Sequence, residues 1–187
     1  VIATWYLFLL ARTMMPRERA LGVVALIASY PFSAYYSAPY TESLYLLVAV
    51  GTLYHATQHQ WLAAGVLGFV AGLSRPNGFL VPLVVALAWN RWRRLPGASW
   101  SWPSLVATVM PLVGVATYSA FLYSRFGDPL VWYRAHSAWG RSYGSLVTLI
   151  SGRIATFQDS GVLGYAFGNP YEFANTIAGA VGLALVV

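Results

Sequence analysis

The sequence predicts an all-α fold, a polytopic bundle of transmembrane helices, and three observations predict it. Hydrophobic residues make up 58% of the 187-residue chain and charged residues only 9%, against about 25% charged in an ordinary soluble domain. So few charges cannot cover a water-soluble surface. The apolar residues are gathered into runs broken by short polar segments, the pattern of helices crossing a bilayer. All the basic residues are arginine, and they sit mostly at the ends of those runs, where they act as topology signals. The net charge of +6 therefore does not point to nucleic acid. With no cysteine, disulfides and thiolate metal sites are excluded.

Residues 1–11 read as the tail of a first span, followed by Arg12, Arg17 and Arg19 around Pro16. The next apolar run covers residues 20–36, and a polar turn, Ser37 through Glu42, separates it from the run 43–57. A His/Gln loop follows at 55–60. Two shorter runs, 61–73 and 79–89, flank Ser74-Arg75-Pro76-Asn77-Gly78. Each falls short of the roughly 20 residues a full span needs, and Pro76 and Gly78 break the helix between them. Arg91, Arg93 and Arg94 come next, then a Trp/Ser/Pro linker and a full-length span over 104–124. Residues 125–142 read as an extracytoplasmic loop, 143–163 as a mixed segment at the interface, and a last run begins near Phe173. The whole chain, 1–187, reads as part of one multi-span domain truncated at both termini, because each end falls inside an apolar run.

Parity orders these spans. With the Arg12–Arg19 loop in the cytoplasm and the two short runs taken as separate helices, Arg91–Arg94 also falls inside, as the positive-inside rule asks. A single kinked span over 61–89 would put that second cluster outside. On the two-helix topology Glu42, Arg75, Asn77, Asp128, Arg134, His136 and Arg141 share the extracytoplasmic face.

Three polar islands on that face carry the candidate chemistry. Glu42, between Thr41 and Ser43, is either an acid at a helix N-terminus or a carboxylate that accepts a proton or orients a hydroxyl. Arg75 is either a snorkelling side chain at a turn or a phosphate ligand in a wetted cavity between two short helices. Asn77-Gly78 is turn chemistry on both readings. In the third island, Asp128, Arg134, Trp139 and Arg141 suit a sugar or phosphate site, or an interfacial helix anchored by Trp and Arg. His55 and His59 are one helical turn apart but lack a third metal ligand nearby. Asp159 and Glu172 look isolated. No nucleotide-binding glycine loop occurs.

Together these segments resemble a known family. Pro31-Phe32-Ser33-Ala34 through Tyr40-Thr41-Glu42-Ser43-Leu44, then Ser74-Arg75-Pro76-Asn77-Gly78, then Phe126-Gly127-Asp128-Pro129 with Trp139-Gly140-Arg141, resemble the PIG-V family of mannosyltransferases in order and approximate spacing. The likeness covers about residues 20–142. It implies a GT-C type glycosyltransferase of the membrane, a bacterial relative in the plasma membrane. Such an enzyme moves a sugar, expected to be mannose, from a polyprenyl-phosphate carrier to an acceptor on the extracytoplasmic side. It implies no cofactor; the lipid-linked sugar is a substrate, and membrane lipids are the other partners. It also implies that the main catalytic acid lies upstream of residue 1, which leaves Glu42 as the candidate within this chain. Arg75, with Arg134 or Arg141, would steady the departing phosphate, and Glu42 and Asp128 would orient the acceptor. A transporter or lipid flippase also uses broken helices and an embedded arginine, but it would carry paired repeats, and none is evident.

Overall fold

The computed structural model describes residues 1–30, 33–37, 40–94, 101–138 and 145–177. All regular structure among the described residues is helical. The chain divides into two compact units, Val1–Ala135 and His136–Val187.

The first unit carries α1 (Ile2–Arg12), α2 (Arg17–Ser29), α3 (Glu42–Thr57), α4 (Trp61–Ser74), α5 (Val81–Trp92) and α6 (Trp102–Phe126). Short 3-10 segments lie at Ser33–Tyr36 and Pro76–Leu80. The next helix, α7 (Val131–Ala138), begins in this unit, and the division falls within it after Ala135. The sequence expectation placed the chain between 20 and 36 in one run. The structure ends α2 at Ser29, where Tyr30 turns to extended backbone ahead of Pro31. A residue before proline is pushed out of the helical region.

The centre of this unit is the contact between α4 and α6. Along α4 the glycines Gly65, Gly68 and Gly72 meet Ala107, Pro111 and the backbone up to Val115 in the same order, so the two helices run parallel. A Cβ built on Gly72 would lie 1.9 Å from the Pro111 carbonyl oxygen, and one on Gly114 would lie 2.1 Å from that of Phe69. Only residues without side chains allow backbones this close, the small-residue packing used where helices associate without water to expel. Helix α3 runs antiparallel to α4, with its start at Glu42 beside Arg75 and Gly51, further along, against Leu67. At Gly78 the chain folds straight back over the end of α4, 2.5 Å separating a built Cβ from the Gly72 Cα. Helix α5 then returns, because α6 begins beside the start of α4. The core formed by Val48, Ala56, Trp61, Ala64, Ala71, Val81, Val85 and Ala107 lies among these four helices.

The segments 61–73 and 79–89 are therefore a hairpin of two helices. The break differs from the one the sequence suggests. Gly78 does not have positive φ; it is required for space. Phe79 and Leu80 belong to the 3-10 segment, and α5 starts at Val81.

Helix α6 begins with Ser101, whose Oγ accepts from the Ser104 N–H at 3.3 Å, and Pro103 occupies its first turn. It ends at Gly127, which takes the left-handed conformation at φ 69° and donates its N–H to Tyr123. Among the described residues α6 is the one helix long and apolar enough to cross a membrane. At 25 residues it spans about 37 Å. Helices α1 and α4 are apolar but shorter.

In the second unit α8 (Leu146–Gly168) starts with Ser145 Oγ accepting from the Thr148 N–H at 3.1 Å. It is broken at Gly161, where φ is 66° and ψ 170°. Residues 170–177 are again helical. Phe157, Tyr165 and Phe173 pack edge to face or tilted around the break, and Tyr165 is fully buried.

Candidate functional site

The antiparallel register of α3 and α4 brings the first residue of α3 level with the residue that ends α4. Those residues are Glu42 and Arg75. Arg75 donates through Nη2 to Glu42 Oε1 at 2.5 Å, and the side chains are 36% and 24% exposed. Thr41 occupies the N-cap position but makes no side-chain capping bond, and the Glu42 carboxylate reaches across to the neighbouring helix end. The pair is engaged at one atom on each side. Glu42 Oε2 is buried and has no hydrogen-bond partner among the described residues. The Nε and Nη1 donors of Arg75 carry no other hydrogen bond there either. A buried polar atom without a partner is uncommon and calls for a ligand or water. This corner thus holds an acceptor oxygen without a partner beside a guanidinium with donors to spare.

Tyr45 lies one turn further along α3, within electrostatic reach of Arg75. Sequence reasoning missed it, although its spacing of three from Glu42 puts both on one helical face. Asn77 lies on the 3-10 segment, exposed, with no side-chain hydrogen bond among the described residues.

Because α4 and α6 are parallel, Asp128 and Arg134 of the third island fall at the same end of this unit. Of the stretch 125–142 read as a loop, residues 125–138 are described, and they are mostly helical. Arg125 is still within α6, and α7 follows after a turn. Asp128 makes that turn: Oδ1 accepts from the Leu130 N–H at 2.9 Å, and Oδ2 pairs with Arg134 Nη1 at 3.0 Å. Its geometry is that of a helix start, with the Arg134 side chain 72% exposed. Trp132 folds back along α6 and donates to Ser119 Oγ at 3.2 Å. Trp139 and Arg141 lie outside the described residues, and so does the side chain of His136.

No protein-family model matches the chain, and no curated protein or solved structure matches it either.

The opposite end of the bundle holds a different polar cluster. His55 Nδ1 lies 2.5 Å from Gln60 Oε1, which can only accept, so Nδ1 carries the proton. The Nε2 atom then accepts from the Tyr6 hydroxyl at 3.0 Å, which ties α1 to α3. His55 is thus held by two protein groups, and no cluster of three possible metal ligands occurs among the described residues. Glu172, which looks isolated in sequence, pairs with Arg153. The break at Gly161 brings them together, and a left-handed glycine inside an apolar run gives no sequence signal of where the chain will turn.

Proposed function

We propose that this chain is part of a polytopic membrane glycosyltransferase that takes a sugar, mannose on the PIG-V-like reading, from a polyprenyl-phosphate carrier at the extracytoplasmic surface. The observation that carries it is the Glu42–Arg75 corner, half-buried and with one unused edge on each partner. Membrane residence draws support from the surface. Only 22% of the apolar window of α6 is buried, whereas the core helix of a soluble protein would be covered. Leu62, Leu83 and Leu87 also stand exposed, and exposed apolar area on this scale needs lipid or a partner. The glycine-lined contact of α4 and α6 is of the membrane type.

In this reading a phosphate oxygen of the carrier takes the free guanidinium donors of Arg75. The acceptor hydroxyl sits against Glu42 Oε2. As the hydroxyl oxygen bonds to the anomeric carbon, the carbon–oxygen bond to phosphate breaks and the hydroxyl proton passes to a carboxylate. Negative charge grows on the leaving phosphate, where a fixed guanidinium stabilises it more than it stabilised the diester. Asp128 and Arg134 are at the same end and suit the approach of the acceptor. Transfer of radiolabelled mannose from polyprenyl-phosphate mannose by the full-length protein in nanodiscs tests the proposal. Arg75→Ala should abolish transfer at unchanged expression. Wild-type turnover in that variant sinks the role of Arg75, and lipid or solute movement without any transfer would move the protein to the transporters.

A further inference from the structure

A second polar site lies within the His136–Val187 unit, built around Arg153. The guanidinium is fixed on one side only. Its Nη1 donates to Tyr165 Oη at 2.7 Å and to Glu172 Oε2. Thr176 uses its own proton on the Glu172 carbonyl at 2.8 Å, so the Tyr165 hydroxyl must donate to Thr176 Oγ1, 3.2 Å away. Proton direction along the chain Arg153, Tyr165, Thr176 is thereby set. The glutamate hydrogen bond holds the Arg153 proton more tightly than usual. Tyr165, buried and wedged between Phe157 and Phe173, makes the anchor rigid.

The rest of the arginine is unused. Its Nε and Nη2 make no hydrogen bond among the described residues. Those two N–H groups form the side-on fork that matches a phosphate or carboxylate. Arg153 lines an open groove of about 290 Å³ together with Thr148, Gly152, Thr156 and Glu172. The groove exists because Gly152 lies between Thr148 and Thr156, each four residues away on the same helical face. A Cβ at Gly152 would meet nothing within 4 Å, so the helix tolerates a side chain there and the space is left open. Glu172 is half-exposed, and its Oε1 carries no hydrogen bond among the described residues. One cation and one anion side by side, each with a free edge, do not favour a bare anion. They complement a ligand that carries both charges.

We propose that this groove binds a phosphate–ammonium zwitterion of the phosphoethanolamine class, with the phosphate on the Arg153 fork and the ammonium on Glu172 Oε1. The site is independent of the sugar-transfer proposal, since it shares no residue with the Glu42–Arg75 corner.

Binding of O-phosphoethanolamine, inorganic phosphate and ethanolamine to the purified full chain in detergent, followed by ligand-observed NMR, tests this. O-phosphoethanolamine should bind best. Arg153→Gln and Gly152→Leu should each weaken it by about tenfold or more, the worth of a charge-assisted fork. Glu172→Gln should erase the preference for O-phosphoethanolamine over inorganic phosphate. Gly152→Leu is the deciding variant, because it fills the groove without touching the Arg153 anchor, and circular dichroism shows whether it folds. Equal binding by wild type and folded Gly152→Leu, or binding by inorganic phosphate alone, overturns the proposal. A second arm separates the source of the zwitterion. Nanodiscs containing phosphatidylethanolamine should displace soluble O-phosphoethanolamine if the headgroup is lipid-borne, and phosphatidylglycerol nanodiscs should not. Equal binding in both nanodiscs keeps the site and assigns it a soluble ligand.

Discussion

Replacing Gly72 with alanine adds one methyl group at the tightest point of the bundle. The new Cβ would lie 1.9 Å from the Pro111 carbonyl oxygen, 2.9 Å from its carbon and 3.0 Å from the Val115 nitrogen. All three are backbone atoms of α6, so no side chain can swing aside. The helices must part by about 1 Å, and a gap of that size forfeits a quarter to a half of each dispersion contact along the seam. The parting loosens Gly65 and Gly68 against α6 as well, which puts the cost near the top of the range for overpacking, about 3 kcal/mol. In a chain of this size the unfolding midpoint should fall by roughly 6–12 °C. Gly22→Ala in α2 is the control. Its Cβ meets nothing within 4 Å, and a helix-interior glycine replaced by alanine gains about 0.5–1 kcal/mol. Thermal unfolding in detergent, followed by tryptophan fluorescence, reads both. The double variant Gly72→Ala with Gly114→Ala should cost less than the sum of the two by about 1 kcal/mol or more, since helices already parted accommodate the second methyl. A Gly72→Ala protein as stable as its parent would refute the close parallel contact.

Three smaller effects follow from single contacts. Tyr6→Phe leaves the acceptor nitrogen of His55 without its donor and should cost about 1 kcal/mol by thermal unfolding; an unchanged midpoint would break the tie between α1 and α3. Asp128→Ala removes the start of α7 and should cost about 1 kcal/mol, while Arg134→Ala, mutating the exposed partner, should cost under about 0.5 kcal/mol; equal losses would mean the ion pair, not the turn, matters. Gly127→Ala forces a side chain into the left-handed conformation and should cost about 1 kcal/mol, measured by the same unfolding midpoint; no loss would show that the end of α6 adopts another turn.

Much of the helix order was legible in the sequence. The apolar runs correspond to α1, α3, α4 and α6 within a residue or two, because Pro16, the His/Gln loop and the Trp/Ser/Pro linker stop helices by local sterics and solvation. The segment 79–80 was misjudged because Phe79 and Leu80 are apolar, and hydrophobicity alone does not separate a 3-10 turn from the helix that follows it. Parity put Glu42, Arg75, Asp128 and Arg134 on one face, and the parallel course of α4 and α6 brings these four to one end. It could not pair Glu42 with Arg75, since 33 residues intervene and the pairing depends on the side-chain register of the α3–α4 hairpin. The seam of Gly65, Gly68 and Gly72 went unread in the sequence, because its meaning rests on which helix lies opposite. Arg153 and Glu172 were beyond reach because their meeting hinges on one glycine.

The unequal lengths of α6 and its neighbours set a depth. Arg75 lies level with about Thr117 on α6, and the remaining turns to Phe126 rise about 15 Å higher. Phe121, Tyr123 and Phe126 are exposed on that overhang, suited to hold its tip at a membrane–water boundary. A bilayer matched to α6 would then submerge the Glu42–Arg75 pair by about half the thickness of its hydrocarbon core. Either the lipid thins around α3, α4 and α5, or water follows the pair down. In both cases the polyprenyl-phosphate carrier proposed above would have less far to rise for its phosphate to reach the pair.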